Sequence, residues 1–285
     1  MAILNDMAGQ ALTFMDKRKK VEEQRRKEML KKNEQMFKEL VAALLLAGQI
    51  NIAFLPTFIQ NELKPIIDKY KNEQMAFVDT FIRDDFTVGI QTGQKLLSLA
   101  NEEITPYDAN MKDNEYEKVL VALLLYAERV IENQHENLIN NLNRDITSIY
   151  ISNKQASKKE VQNDVNAEKN STLNTILTGA LISKYINPTF KNINNRTDMT
   201  AQNETNRALN HGILMRYIIA KRDNFSGLQV KWLEVRDERL CKYCRDAANG
   251  GEHGNGVYDI DDIAPPPLHS RCRCILIPFL SRWGE

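Results

Sequence analysis

The strongest constraint on this chain lies near its C-terminal end, where Cys241-Lys242-Tyr243-Cys244 is followed after 24 residues by His269-Ser270-Arg271-Cys272-Arg273-Cys274. All 4 cysteines of the 285 residues fall in this window, so they read as one site rather than as small hydrophobes scattered through a core. A C-x-x-C pair presents two thiolates from one tight turn, and H-x-x-C-x-C adds soft donors from a distant segment, which is the inventory a tetrahedral zinc ion requires. If residues 271–277 are extended, Cys272 and Cys274 project to one face. Ligation by four cysteines and ligation by three cysteines with His269 both stay open. Five donors for four positions point to a closed structural ion, because a catalytic one keeps a position for water. A disulfide framework fits less well, since no export signal is read at the N-terminus and the cysteines are not spread as staples. Free buried thiols are the third reading. Asp237 and Arg239, just before the first cysteine, are expected to orient the ligand turn from behind it.

The chain as a whole has the composition of a soluble protein able to bury a core, with 42% hydrophobic and 27% charged residues. Its 38 basic and 38 acidic residues cancel, so global charge predicts neither a nucleic-acid coat nor a membrane-surface protein. The most apolar stretches, 40–55 and 119–127, fall short of the roughly 18 uncharged residues of a membrane span. Charge is uneven in one place. Between Lys17 and Lys32, 9 basic residues face 3 acidic ones. Lys17, Arg18, Lys19, Lys20, Arg25, Arg26 and Lys27 are therefore candidates for contact with nucleic acid or an acidic partner. The competing reading is a solvated helix face with i,i+4 pairs such as Glu23 with Lys27.

Residues 4–48 carry hardly a turn signal and predict one or two long helices. Pro56 and Pro65 punctuate a helically spaced run, a helix is expected over 72–100, a loop over 101–113 and a helix over 114–151. Residues 153–171 read as a polar hinge or exposed helix. Helical patterning returns at 172–185, stops at Asn187-Pro188 and resumes over 198–222. The period then changes, and Leu228, Val230, Trp232 and Val235 predict a strand. The run from Gly250 to Gly256 reads as a turn between short strands, and Ile275-Leu276-Ile277 closes the module. The expected fold is mainly α, an elongated helical bundle with a small C-terminal β-rich zinc-binding module. Its expected parts are a helical region at 1–152, the hinge at 153–171, and a last domain at 172–285 with the module at 228–280.

Two blocks carry a resemblance. One is Ala201-Gln202-Asn203-Glu204-Thr205-Asn206-Arg207-Ala208-Leu209-Asn210-His211-Gly212. The other runs from Trp232 through Asp237-Glu238-Arg239-Leu240-Cys241-Lys242-Tyr243-Cys244 to Pro266-Pro267-Leu268-His269-Ser270-Arg271-Cys272-Arg273-Cys274. Over about 185–280 this resembles the phage head morphogenesis family, the Mu F-like minor head proteins, which read A-x-T-E-x-x-R-x-x-N-x-G, W, D-x-R-T-C-x-x-C and P-P-x-H-P-x-C-R-C. Asn203, Leu240 and Ser270 depart from the family residues, Thr, Thr and Pro, and none of the three removes a metal ligand. The resemblance implies a minor structural component of a tailed-phage virion, present in few copies inside the head near the portal vertex. The partners it implies are the portal protein, capsid or scaffolding proteins, and genomic DNA that some relatives bind or accompany on ejection. Synthesis is expected in the host cytoplasm.

The first block can also be read without the resemblance. Glu204, Arg207 and His211 stand at i, i+3 and i+7, so a Glu204–Arg207 pair could hold this helix against the zinc module. A catalytic reading takes Glu204 as a base with His211 or Arg207 as partner, but helix-face ion pairs are far commoner than active sites. Two other functions compete: a zinc-supported nuclease or toxin carried in the particle, with His253 as the spare imidazole, and a DNA-binding adaptor using the basic helix. A zinc deaminase is excluded, because no H-x-E precedes the cysteines and Leu240 stands where P-C-x-x-C needs proline.

Overall fold

The computed structural model describes residues 2–47, 49–100, 114–161, 174–176, 181, 184–223, 225–235, 241–251 and 254–283. Among these the protein is mainly helical, with one small sheet toward the C-terminus. The long helices are α1 (Ala2–Ala47), α3 (Lys64–Ser98), α4 (Asn114–Val161) and α5 (Asn187–Asp223). A short α2 (Leu55–Phe58) leads through a π turn (Ile59–Leu63) into α3. The last helix is α6 (Lys242–Asn249). Strands β1 (Gln49–Asn51) and β2 (Asn174–Ile176) pair antiparallel. Strands β3 (Gln229–Leu233), β4 (Val257–Asp259) and β5 (Ile275–Phe279) form an antiparallel sheet in the order β4-β3-β5.

Three elements differ from the sequence expectation. α5 begins at Asn187 and runs straight through Pro188. A proline in the first helical turn costs nothing there, because its missing N–H has no intrahelical acceptor. Residues 174–176, expected to be helical, pair with β1 as a strand, as the β-branched Thr175 and Ile176 favour. The glycine-rich run follows a helix rather than a strand, since the C-x-x-C opens α6.

The chain divides into two compact units, each discontinuous in sequence. The first is Met1–Arg26, Phe77–Ala127 and Met199–Glu285, and the second is Lys27–Ala76 and Glu128–Asp198. Each long helix contributes to both. In the second unit, Met36, Leu40 and Leu44 of α1 share a core with Ile67, Leu138, Leu142, Ile146 and Phe190. Asn33 is fully buried there, and its Nδ2 donates to Asn194 Oδ1 at 3.0 Å and Thr197 Oγ1 at 2.9 Å.

The first unit holds the sheet. β3 is its centre, pairing Trp232 with Leu276 in β5 and Val230 with Tyr258 in β4. Val230 and Trp232 face the core, while the alternating Gln229, Lys231 and Leu233 are half-buried. That core also takes Met7, Ala11 and Met15 of α1, Leu96 and Leu97 of α3, and Leu209, Ile213 and Tyr217 of α5. α3 and α5 approach backbone to backbone at Gly89 and Gly212. A Cβ on Gly212 would run into the Phe86 carbonyl oxygen and stand 3.0 Å from Ile90 N. A Cβ on Gly89 would run into the Leu209 carbonyl oxygen and stand 3.1 Å from the Gly212 Cα. This close crossing places α5 beside the sheet and so positions the site described next.

Candidate metal centre

Cys241 caps α6 from an extended conformation, φ −111° and ψ 173°, and Cys244 lies in the helix's first turn. The Arg245 N–H donates to the Cys241 carbonyl at 3.1 Å and closes that turn. The other donors come from the chain entering β5. There the Cys272 N–H donates to the His269 carbonyl at 3.2 Å, and Arg271 adopts a left-handed φ of 66°. That conformation is uncommon for a residue with a Cβ. The Arg271 N–H is held by Asn203 Oδ1 at 2.8 Å, which ties the turn to α5.

These two turns bring all five expected donors together. The ligand atoms of Cys241, Cys244 and His269 lie within 4.8 Å of one another, as do those of Cys244, Cys272 and Cys274. Cys244 belongs to both groups. Its Sγ is 2.8 Å from His269 Nε2 and 3.6 Å from Cys272 Sγ. His269 Nδ1 lies 2.8 Å from the Ser270 carbonyl oxygen. A proton on Nδ1 donated to that carbonyl leaves the Nε2 lone pair facing the thiols, the orientation a metal-bound imidazole needs. No cysteine is in a disulfide. The group can hold a metal ion.

The electrostatics of the thiols fit a cation. Donation from Cys274 is the largest influence on Cys272 and brings its pKa down to about 6, against burial. Burial first and the charge on Cys272 second push Cys244 up to about 12. Donation to Cys272, followed by burial, raises Cys274. Burial and mutual repulsion thus oppose ionising several of these thiols together. A divalent ion supplies the positive charge that lets them ionise and bind.

α5 holds the backbone of this ligand strip. Asn206 Nδ2 donates to the Cys272 carbonyl at 2.8 Å. Asn210 Nδ2 donates to the Cys274 carbonyl at 3.1 Å, and Asn210 Oδ1 accepts the Leu276 N–H at 3.2 Å. The link from the first motif block to the module is therefore made by asparagines 203, 206 and 210. Glu204 and Arg207 do pair, at 3.2 Å, but the Arg207 guanidinium stacks on Tyr126 at 4.4 Å. Burial raises the Glu204 carboxyl to about 7 despite Arg207, and burial with the Arg207 charge lowers His211 to about 4. Sequence reasoning alone misses the role of these asparagines, and also that of Arg273, which follows Cys272 in the chain and is buried, with its guanidinium donating to the Met15 carbonyl at 2.8 Å.

The basic stripe is not uniformly available. Arg18 and Arg25 both pair with Asp85, which is fully buried, and Arg25 also lies over the Phe81 ring at 4.9 Å. Lys17, Lys19, Lys20 and Lys27 are exposed, and Arg26 is half-buried. Asp237, Arg239 and His253 lie outside the described residues. Among the described residues no helix is long and apolar enough to cross a membrane. No family model, curated protein or solved structure matches the chain.

Proposed function

We propose that this chain is a minor head protein of a tailed bacteriophage, an internal and portal-proximal structural component of head assembly whose C-terminal module is closed by one structural zinc ion. The observation that carries the reading is that the two motif blocks form a single site. Asn203, Asn206 and Asn210 of the first block grip the backbone of Arg271, Cys272 and Cys274 in the second. Residues spaced by up to 68 positions thus work as one device, which is what a motif held in fixed order would encode. A sulfur-rich set of five donors suits zinc and a closed site. A helical body ending in a rigid metal-locked module suits an adaptor between the portal and capsid or scaffolding proteins.

In this reading DNA contact goes through the exposed Lys17, Lys19 and Lys20, since Arg18 and Arg25 are committed to Asp85. Three such contacts give a log–log salt slope of about −3, and a slope near −4.5 would mean that Arg18 and Arg25 join in.

The deciding experiment is quantitative mass spectrometry of purified particles after nuclease and protease treatment. A few protected copies per head are expected, and complete absence from the particle overturns the reading. Metal analysis of the purified chain is expected to return about one zinc per molecule. Stoichiometric iron instead would overturn the zinc assignment alone.

A further inference from the structure

Helix α4 carries apolar residues on two opposite sides. Tyr116, Leu123, Ala127 and Ile131 are buried, at the spacing of a core-facing stripe. On the outer side Val121, Leu125 and Tyr126 are 42%, 51% and 46% exposed. They are three of the nine large apolar side chains exposed among the described residues, and they sit within one and a half turns of a single helix. Such clustering marks a contact surface, whereas lone surface leucines mark nothing. Arg207 lies over the Tyr126 ring, 4.4 Å from its centroid, so the chain's own cover reaches the edge of this face.

The charges around the apolar centre have an order of their own. At 3.6 residues per turn, Lys118, Val121, Ala122, Leu125, Arg129 and Glu132 all fall within about 60° of the Leu125 direction, and all six are exposed. Among the described residues, Lys118, Glu128, Arg129 and Glu132 make no ion pair within the chain. Glu128 and Glu132, at i and i+4, repel each other along the helix.

We propose that this outer face of α4 is a self-association surface, on which a second copy of the chain docks its own α4 antiparallel about Leu125. A two-fold axis at Leu125 sets the stripe against itself, as an isologous contact requires. Leu125 then meets Leu125, and Val121 lies under the aliphatic stem of Arg129 from the other copy. Lys118 faces the other copy's Glu132 and stands one turn from its Glu128, which relieves the repulsion between those carboxylates. By symmetry each of these contacts occurs twice. A parallel pairing would instead put Lys118 beside Lys118 and Glu132 beside Glu132. The stripe from Lys118 to Glu132 covers about 22 Å of helix, less than a standard interface needs, so the dimer is weak and forms only at high local concentration. The surface depends on neither the metal centre nor a place in a virion.

The test is sedimentation equilibrium of the full-length zinc-loaded chain from about 5 to 500 μM. A reversible monomer–dimer equilibrium with a dissociation constant on the order of 100 μM is expected. Leu125→Glu, which places two carboxylates at the axis, is expected to weaken the dimer at least tenfold, and Lys118→Glu to do the same. Combining Lys118→Glu with Glu132→Lys restores the pairs with their signs exchanged and is expected to bring the constant back to within about threefold of the wild type. All three positions are exposed, so circular dichroism should match the wild type throughout. A monomer at every concentration overturns the proposal, and so does a dimer that survives Leu125→Glu. A loss in Lys118→Glu that the double variant does not recover overturns the antiparallel pairing.

Discussion

Replacing Gly212 with alanine adds one methyl group to α5, and the sign of its effect follows from where that group would go. In an open helix interior the change is favourable by about 1 kcal/mol, because alanine loses less backbone entropy than glycine. At Gly212 the new carbon meets the Phe86 carbonyl oxygen and stands 3.0 Å from Phe86 C and from Ile90 N. All three are backbone atoms of α3, so no rotamer change relieves the clash and the two helices must separate. Overpacking of this kind costs about 1–3 kcal/mol, and a clash with backbone falls at the upper end. The expected net loss is about 2 kcal/mol. Gly9 on α1 provides the control, since nothing lies within 4 Å of a Cβ built there, and Gly9→Ala should gain about 1 kcal/mol. Gly93 is intermediate, with Arg216 Cβ at 3.1 Å and Ile213 O at 3.2 Å. Both tryptophans, Trp232 and Trp283, are buried in the first unit. Urea unfolding followed by tryptophan fluorescence therefore reports on the unit that contains all three glycines. Gly212→Ala at or above wild-type stability, or equal shifts for Gly9→Ala and Gly212→Ala, would refute the close crossing.

Further outcomes concern the cysteines, Glu204, His211 and Asn210. Cys244 joins both donor groups, so Cys244→Ser should lose more bound metal than Cys241→Ser in metal analysis; chelation should expose the tryptophans while most helix signal in circular dichroism survives. Burial raises the Glu204 carboxyl to about 7 from its ordinary 4.5, so its stabilising contribution is present at low pH and is lost as pH rises through that window, by about 3 kcal/mol at most. Glu204→Gln should gain that amount above neutral pH and nothing in acid. His211, at about 4 folded against 6.5, works in the opposite direction: stability is lost as pH falls, and His211→Gln should remove that loss. Stability measured across the pH range would refute whichever assignment has a variant that tracks the wild type. Asn210 is fully buried and serves both Cys274 O and Leu276 N, so Asn210→Ala should cost about 2–4 kcal/mol in the tryptophan transition by leaving two backbone groups unpaired.

The candidate metal donors were legible because covalent spacing imposes their geometry: C-x-x-C fits one turn, and C-x-C puts two thiols on one side of an extended segment. The strands at Val230 and Ile275 were legible from their change of period. What holds them was not. Asparagine on a helix ordinarily marks a solvated face or a cap, and the acceptors of Asn206 lie 66 and 68 residues away. The signal was there in retrospect, since Asn203, Asn206 and Asn210 share one side of a helix that also buries Ala201, Leu209 and Ile213. Arg18 and Arg25 looked like part of a surface stripe because charge runs usually are, and only the fold brings Asp85 between them. The two units were hidden for a different reason. Their boundaries fall inside continuous helices, at Arg26 and Ala127 for instance, where composition does not change.

The asparagines of α5 also decide how the sheet ends. A primary amide carries the same carbonyl and N–H groups as a peptide unit. Along the outer side of β5, Asn210 accepts from Leu276 and donates to Cys274, as the next strand would. The helix impersonates a fourth strand, and β4 on the opposite side spans only three residues. An unpaired strand edge is a template for joining other chains, and this one is filled from within. Strand addition at this part of β5 is thereby closed, because the Leu276 N–H that an incoming strand would use is already taken.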